Sequence, residues 1–499
     1  MRRTPDTYLG IDLGAGSGRA VAARIDGRRL DMTEVSRFAN APCKLGGTLY
    51  WNLLSLWGHL LDSMRMCAQK GYGELSGIGV DTWGVDFGLL GVDGRLLSNP
   101  VCYRDDSTEG IERVILAAIG KEELYRLTGM PPGRVATLSQ LCARKQGGGL
   151  DQLRIAQDLL MMPDLFRYFL CGHKAVELTS AGSSQLLNIR TRRWCRTIFR
   201  KTGLPLRMMP GIVESPAVVG RLHPHLAAET GLNRAPVIAV AGHDTLSAAA
   251  AAPWVGEDCA FLSCGTWSVL GAIRQSPITT VQAMRKGFVN ELGVASVLFA
   301  KNMMGLYLFE NLCRSLARDG KRVSYAQLVR DAAGARPFAA VLDMSAPLFF
   351  TSQDTARSVR RFLRETGQRT VRTTAAIARL LMEGLALSHR AAAHDLMALT
   401  GNSLRRLCLV GGGSRNALLC QMTADATGLE VIAGPGEATV AGNVALQALA
   451  TGRLGSHEAI RDMIRNSFSL RTYKPRSSKV WDRQYRRYIK LQSAPQVVE

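Results

Sequence analysis

The chain has 499 residues, too many for one hydrophobic core, so two domains are expected. Hydrophobic residues make up 46% and charged residues 21%, the balance of a globular protein, and no apolar run reaches the ~20 residues of a membrane-spanning helix. The formal charge of +21 is spread along the whole chain, mostly as arginine, with no recognised nucleic-acid motif; it reads as a solvated basic surface that also suits anionic substrates, not as a nucleic-acid footprint.

The N-terminal octapeptide MRRTPDTY has no apolar core of the kind a secretory signal needs. After it, Ile11 to Arg19 reads IDLGAGSGR, an apolar strand that runs into glycines, a hydroxyl and an arginine. A dinucleotide-binding glycine loop opens a helix. Here the following residues, AVAARIDGRRLDMTEVSRF, carry a hairpin signal at Asp26-Gly27 and predict strand, glycine turn, strand, turn, strand. A Gly-Lys-Ser/Thr signature is absent as well, which excludes a Walker loop. Backbone N–H groups of such a turn and the Ser17 hydroxyl can bind phosphate oxygens, and Asp12 at the strand end can hold a hydrated Mg²⁺ or simply cap its own loop.

Gly77 to Leu97, GIGVDTWGVDFGLLGVDGRLL, predicts a strand pair with a bend at Trp83-Gly84. Trp83 is either a flat wall for a sugar or a core residue, Gly84 can offer backbone contacts, and Asp81, Asp86 and Arg104 are polar groups close to the bend. The apolar strand Val237 to Val240 ends in Gly242-His243-Asp244-Thr245, followed by an alanine-rich helix that suits a crowded interdomain position. Asp244 at this junction is a candidate general base, or the N-cap of the helix, or both.

Cys259 to Ile273, CAFLSCGTWSVLGAI, repeats the first pattern: strand, a small polar turn at Ser263-Cys264-Gly265-Thr266, strand. Lys301-Asn302 opens KNMMGLYLFENL with helical apolar spacing behind it; Asn302 can hydrogen-bond a sugar hydroxyl or cap that helix. Leu407 to Ala450 predicts strand, Gly411-Gly412-Gly413, helix, strand, Gly-Pro-Gly turn, helix, with glycines that let backbone approach a flat ring and Asn416 placed to contact a base or ribose. Arg471 to Lys490 is densely basic and reads as a helical tail. The eleven cysteines include no C-x-x-C pair and the eight histidines are dispersed, so no metal-ligand cluster is expected and reduced thiols in a cytoplasmic protein fit best.

Two phosphate hairpins at corresponding places in two halves point to one architecture. It is the α/β fold of actin and the sugar kinases, two hexokinase-like (ribonuclease H-like) domains facing a central cleft that holds sugar and nucleotide and closes on them. The expected boundaries are 1–250 and 251–470, with 471–499 as the basic tail.

The strings DLGAGSGR, YWN (Tyr50 to Asn52), IGVDTWGVDFGLL, YRD (Tyr103 to Asp105), GHDT, CGTWS, KNMMGL and VGGGSRN together resemble the FGGY carbohydrate kinases, in particular their rhamnulokinase-like branch, over about residues 7 to 470. The resemblance implies ATP- and Mg²⁺-dependent phosphorylation of L-rhamnulose at O1, as in L-rhamnose catabolism. It implies ATP contacts at Ala15, Gly16, Ser17, Gly18, Arg19, Thr266 and Gly412, and at Glu310, where the family often has glutamine. It implies ketose contacts at Gly84, His243, Asp244, Thr245 and Asn302, with Asp244 as general base; Trp83, Asp86 and Arg104 are further candidates for the sugar. The "CADAC"-like helix of the family is MTADAT here, Met422 to Thr427. A kinase for another ketose or deoxyketose, such as fuculose or xylulose, and a catalytically idle sugar-binding protein on the same fold are the alternatives.

Overall fold

The computed structural model describes residues 6–254, 256, 258–318, 320, 323–350, 352–476 and 479–493. The stretch before Asp6, which carries most of the signal-peptide question, lies outside the described residues. The chain forms two compact units, each discontinuous in sequence. The first comprises Met1–Ala251, Ile273–Phe299 and Ala438–Phe468; the second comprises Ala252–Ala272, Ala300–Glu437 and Ser469–Glu499.

The first unit is built on a six-stranded sheet in the order Ala217–Arg221, Pro236–Ala239, Gly77–Thr82, Asp6–Leu13, Ser17–Asp26, Arg29–Ala39. The strands Pro236–Ala239, Gly77–Thr82 and Asp6–Leu13 run parallel to one another. Gly77–Thr82 and most of Asp6–Leu13 are buried throughout, which is why they read as apolar runs and not as alternating patterns. Asp6–Leu13 pairs antiparallel with Ser17–Asp26, and that strand with Arg29–Ala39, the two successive hairpins expected from the sequence. Phe87–Leu90 does not pair with Gly77–Thr82 as the sequence suggested. It forms a separate antiparallel ladder with Asp158–Met161, because the chain leaves the sheet at the Trp83-Gly84 bend.

The second unit repeats this plan. Its strands include, in order, Trp267–Arg274, Cys259–Cys264, Arg406–Val410, Glu430–Ala433 and Arg471–Tyr473. Cys259–Cys264 and Trp267–Arg274 form the antiparallel hairpin, Arg406–Val410 and Glu430–Ala433 add to it in parallel, and Arg471–Tyr473 closes the edge antiparallel. A helix follows the outer parallel strand of each sheet, Asp244–Ala250 after Pro236–Ala239 and Ala438–Ala450 after Glu430–Ala433, and both helices belong to the first unit.

The alanine-rich helix Asp244–Ala250 is crowded, as expected, but against a partner within its own unit. Helix Ala438–Ala450 crosses it so closely that a Cβ at Gly442 would lie 1.8 Å from the Ser247 carbonyl oxygen. The basic C-terminal stretch is built into the second unit. Arg471–Tyr473 is its edge strand, and helix Lys479–Ser493 buries Trp481 and Tyr488 and pairs Asp482 with Arg390 at 2.7 Å. Among the described residues no helix is long and apolar enough to cross a membrane.

Candidate active site

Three carboxylates stand at the carboxyl ends of the three adjacent parallel strands of the first unit. Asp12 ends Asp6–Leu13, its register partner Asp81 ends Gly77–Thr82, and Asp244 follows Pro236–Ala239. This end of an open α/β sheet is where such folds bind ligands. The chain turns between these strands are tied together: Thr82 N–H donates to Gly242 O at 2.8 Å and Trp83 N–H to Leu13 O at 3.2 Å.

The first hairpin is closed by Gly14 N–H to Ser17 O at 2.9 Å, which leaves Gly16 and Ser17 exposed at the tip and Ala15 half-buried. Gly18 is required by packing, since a Cβ there would sit 2.2 Å from the Phe38 ring. Arg19 lies across the ladder from Asp12 and donates to its Oδ2 from Nε at 2.9 Å and Nη2 at 2.7 Å. Arg104 is exposed and reaches the same loop, with Nη1 3.5 Å from Ala15 O.

Asp81 is wholly buried, with Oδ2 accepting from Asn443 at 2.5 Å and Oδ1 without a hydrogen-bond partner. Burial first, then the charges of Asp12 and Asp244, push its pKa well above the usual carboxylate range, while Asn443 opposes the shift. Asp244 keeps about a third of its side chain open (33%), yet enough protein surrounds the carboxylate that desolvation raises its pKa. His243 pulls it down, Asp12 pushes it up, and Thr245 Oγ1 donates to Oδ1 at 3.2 Å. Asp244 is the first residue of its helix and not the N-cap; His243 occupies the cap and makes no side-chain capping bond.

His243 sits between two acids, Nδ1 3.1 Å from Glu291 and Nε2 3.5 Å from Asp244. Burial alone would lower its pKa, but Glu291 above all, then Asp244 and Glu177, raise it to about 9. Gly84 packs against this ring: a Cβ there would meet His243 Nε2 at 3.2 Å. Val85 beside it holds φ at +72°, a strained value for a β-branched residue, fixed by Ser183 Oγ on its N–H and Thr137 Oγ1 on its carbonyl. Gly84, His243, Asp244 and Thr245 are therefore brought together with Asp12, Asp81 and the first hairpin.

Trp83 and Asp86 are not at this surface. Trp83 is 5% exposed and packs on Trp51, ring centroids 4.2 Å apart. Both indoles donate to Asp86 Oδ2, at 2.8 and 2.6 Å, while Gln140 donates to Oδ1 and Tyr103 N–H to Oδ2. Burial raises Asp86 to about 6 against these bonds. The pair is a buried knot under the bend, built from the YWN and DTWGVD strings.

The second unit carries the other predicted residues. Its hairpin closes by Gly265 N–H to Trp267 O at 2.9 Å and leaves Thr266 exposed. The glycine of KNMMGL explains itself here: a Cβ at Gly305 would lie 2.4 Å from Gly265 O, and Leu306 N–H donates to that same oxygen at 2.7 Å. Glu310, on helix Tyr307–Arg318, is half-buried and, after burial itself, adds to the raised pKa of the Cys264 thiol. Gly413 and Gly411 pack on Cys264, whereas Gly412 is open, with nothing within 4 Å of a Cβ built there. Asn302 lies exposed within strand Ser296–Met304, not ahead of a helix, so it caps nothing. Asn416 is 3% exposed; it caps helix Ala417–Thr427 through Leu419 N–H and donates to Tyr325.

Sequence reasoning missed Glu291, Glu177 and Asn443. Their signal was an acid or amide inside an apolar run: FVNELG is buried at every position, and Asn443 and Gln447 share one face of a helix of small residues. Glu177 is fully buried and accepts from Thr179, Ser180, Ser215 and Gly242 N–H, fixing the turn that carries His243.

A model of the FGGY family of carbohydrate kinases, N-terminal domain, matches residues 7–251, and one of its C-terminal domain matches 260–451. The chain belongs to the FGGY family of carbohydrate kinases. It is 36% identical over 479 residues to a rhamnulokinase of Bacteroides thetaiotaomicron, covering 96% of this chain and 98% of that protein. A rhamnulokinase of Enterococcus faecalis is 34% identical over 495 residues, 98% of each. Its fold is shared with a ligand-bound xylulose kinase from Lactobacillus acidophilus, TM-score 0.80 at 16% identity over 98% of both chains. A glycerol kinase from Plasmodium falciparum with ADP gives 0.77 at 13% identity over 99% of both. The protein is a carbohydrate kinase and uses ATP.

Proposed function

We propose that the chain transfers the γ-phosphoryl group of ATP to the O1 hydroxyl of L-rhamnulose, giving L-rhamnulose 1-phosphate. The observation that carries this reading is the convergence of Asp12, Asp81 and Asp244 at the ends of three adjacent parallel strands, next to a glycine hairpin whose tip is open. The choice of sugar rests on the rhamnulokinases that resemble the chain along almost its whole length.

In this reading Asp244 takes the proton of the sugar hydroxyl. Desolvation raises its pKa, which makes the carboxylate a stronger base, and partial exposure leaves it reachable. Gly84, His243, Thr245 and Asn302 hold the ketose. The Ala15–Arg19 loop and Thr266 hold ATP phosphates through backbone N–H groups, the Ser17 and Thr266 hydroxyls and the Arg19 guanidinium, while open Gly412 admits the nucleotide and Glu310 lies along it. Arg104, exposed and pointing to Ala15, is available to the same phosphates.

A magnesium site fits the residues present. Asp81 Oδ1 is a buried, unpartnered oxygen beside Asp12, and Mg²⁺ typically keeps its waters and takes one or two carboxylates plus substrate phosphates. Asp12, through water, would hold the ion, which when bound neutralises charge on the phosphates. A cytoplasmic location belongs to this reading.

The test is Asp244→Asn. A general base typically contributes about 10²–10⁴-fold to rate. The variant should keep the parent melting temperature, still bind ketose and lose at least about a hundredfold in kcat. Turnover near the parent rate would move the base elsewhere.

A further inference from the structure

The strand Phe288–Gly293 belongs to the first unit and is buried along its length, yet it carries Glu291, 5% exposed. Its Oε2 and His243 Nδ1 lie 3.1 Å apart, and neither atom has another hydrogen-bond partner. On its other side the imidazole presents Nε2 to Asp244 Oδ1 at 3.5 Å. The backbone around the ring is fixed independently. Gly242 N–H donates to Glu177 at 2.9 Å and His243 N–H to Thr179 Oγ1 at 3.2 Å. On the Nδ1 side the ring is anchored by Glu291, and Gly84 leaves the space that the ring needs.

We propose that Glu291 is a positioning residue for phosphoryl transfer: it holds the His243 ring in the orientation and charged form that set Nε2 against Asp244. The inference rests on Asp244 being the base. Glu291 touches no reacting atom; it acts through His243. A buried carboxylate facing a buried imidazole favours the imidazolium, and an imidazolium next to Asp244 favours the ionised, proton-accepting carboxylate. The direction agrees with the electrostatics: the His243 pKa is raised to about 9, so the ring is charged at neutral pH, and its charge opposes the rise imposed on Asp244 by burial and Asp12. The groups facing His243 are Glu291, Asp244 and Glu177; those whose charges reach Asp244 are His243, Asp12, Asp81 and Tyr103.

The test compares the full-length parent with Glu291→Gln and Glu291→Asp. Imidazole ¹⁵N NMR, with His243→Asn used to assign the signal, follows the titration of His243. In the parent it should titrate near 9. In Glu291→Gln it should fall below neutrality, and the acid limb of kcat should move up by about one pH unit, the effect expected on losing one opposite charge at this range. The loss of kcat should therefore be about tenfold on that limb and recover at high pH. Glu291→Asp should restore both behaviours. A parent His243 that titrates at or below 6.5 overturns the proposal even if Glu291→Gln does not fold. So does a folded Glu291→Gln with an unchanged His243 titration or an unmoved acid limb. Failure of the base assignment is separate: Asp244→Asn would then turn over normally, whatever His243 does in Glu291→Gln.

Discussion

His243 ties stability to pH through one ring. Its pKa rises on folding from the ordinary 6.5 to about 9, so the folded state binds the extra proton across that window. The associated stability is fully present below about 6.5 and is lost as pH rises through 9. The melting temperature should therefore fall between pH 6.5 and 9.5 in the parent, and that slope should flatten in Glu291→Gln; differential scanning fluorimetry across buffers checks it, and equal slopes would contradict the pairing. Asp86→Ala removes the acceptor shared by Trp51, Trp83 and Gln140 and leaves buried donors unpaired, at ~1–3 kcal/mol for such a group. It should lower the melting temperature by several degrees while a folded fraction keeps its sugar KM; a raised KM at unchanged stability would return Asp86 to the sugar site. Such residues show where sequence reading stops. GHDT and DLGAGSGR were legible because a short polar string interrupts an apolar strand. Trp83 beside a bend looked the same as a stacking wall, since its partner Trp51 lies on another segment. Glu291 was invisible for the same reason: only folding brings it to His243.

At the scale of elements, two glycines carry helix and turn packing. The Gly442 helix crosses Asp244–Ala250 at backbone contact, and a Cβ there would overlap the Ser247 carbonyl. Overpacking of this kind costs typically about 1–3 kcal/mol, and here the obstacle is backbone that cannot rotate away. Gly442→Ala should be among the most destabilising single-methyl changes in the chain, read by chemical denaturation; a variant within ~0.5 kcal/mol of the parent would show that the helices are free to separate. Gly305→Ala pushes on the Gly265-Thr266 turn and should raise KM for ATP more than KM for sugar, with steady-state kinetics as the check. The duplicated hairpin was legible because Gly14 to Ser17 and Ser263 to Thr266 punctuate the strands locally. The pairing of Phe87–Leu90 with Asp158–Met161 and the contact of Asn416 with Tyr325 were not, because each is decided by a distant segment.

At the scale of the molecule, the repeat of hairpin, two parallel strands and antiparallel edge in both units explains why two similar glycine turns recur in one chain. The units themselves are discontinuous, since Ala438–Phe468 returns to the first sheet through Gln447, Asn443 and Ser467. Local sequence signals mark element ends and carry no record of that return. The excess of basic residues remains distributed over both units, and Arg471 to Lys490 supplies an edge strand and a packed helix in place of a free tail. The most direct measurement of the central claim is ADP release coupled to product identification, with L-rhamnulose, L-fuculose and xylulose each offered at equal concentration with ATP and Mg²⁺. L-Rhamnulose should give the highest kcat/KM and a 1-phosphate product, and excess EDTA should abolish turnover. A higher kcat/KM for another ketose would contradict the substrate assignment, and no ATP-dependent product from any of them would contradict the kinase site.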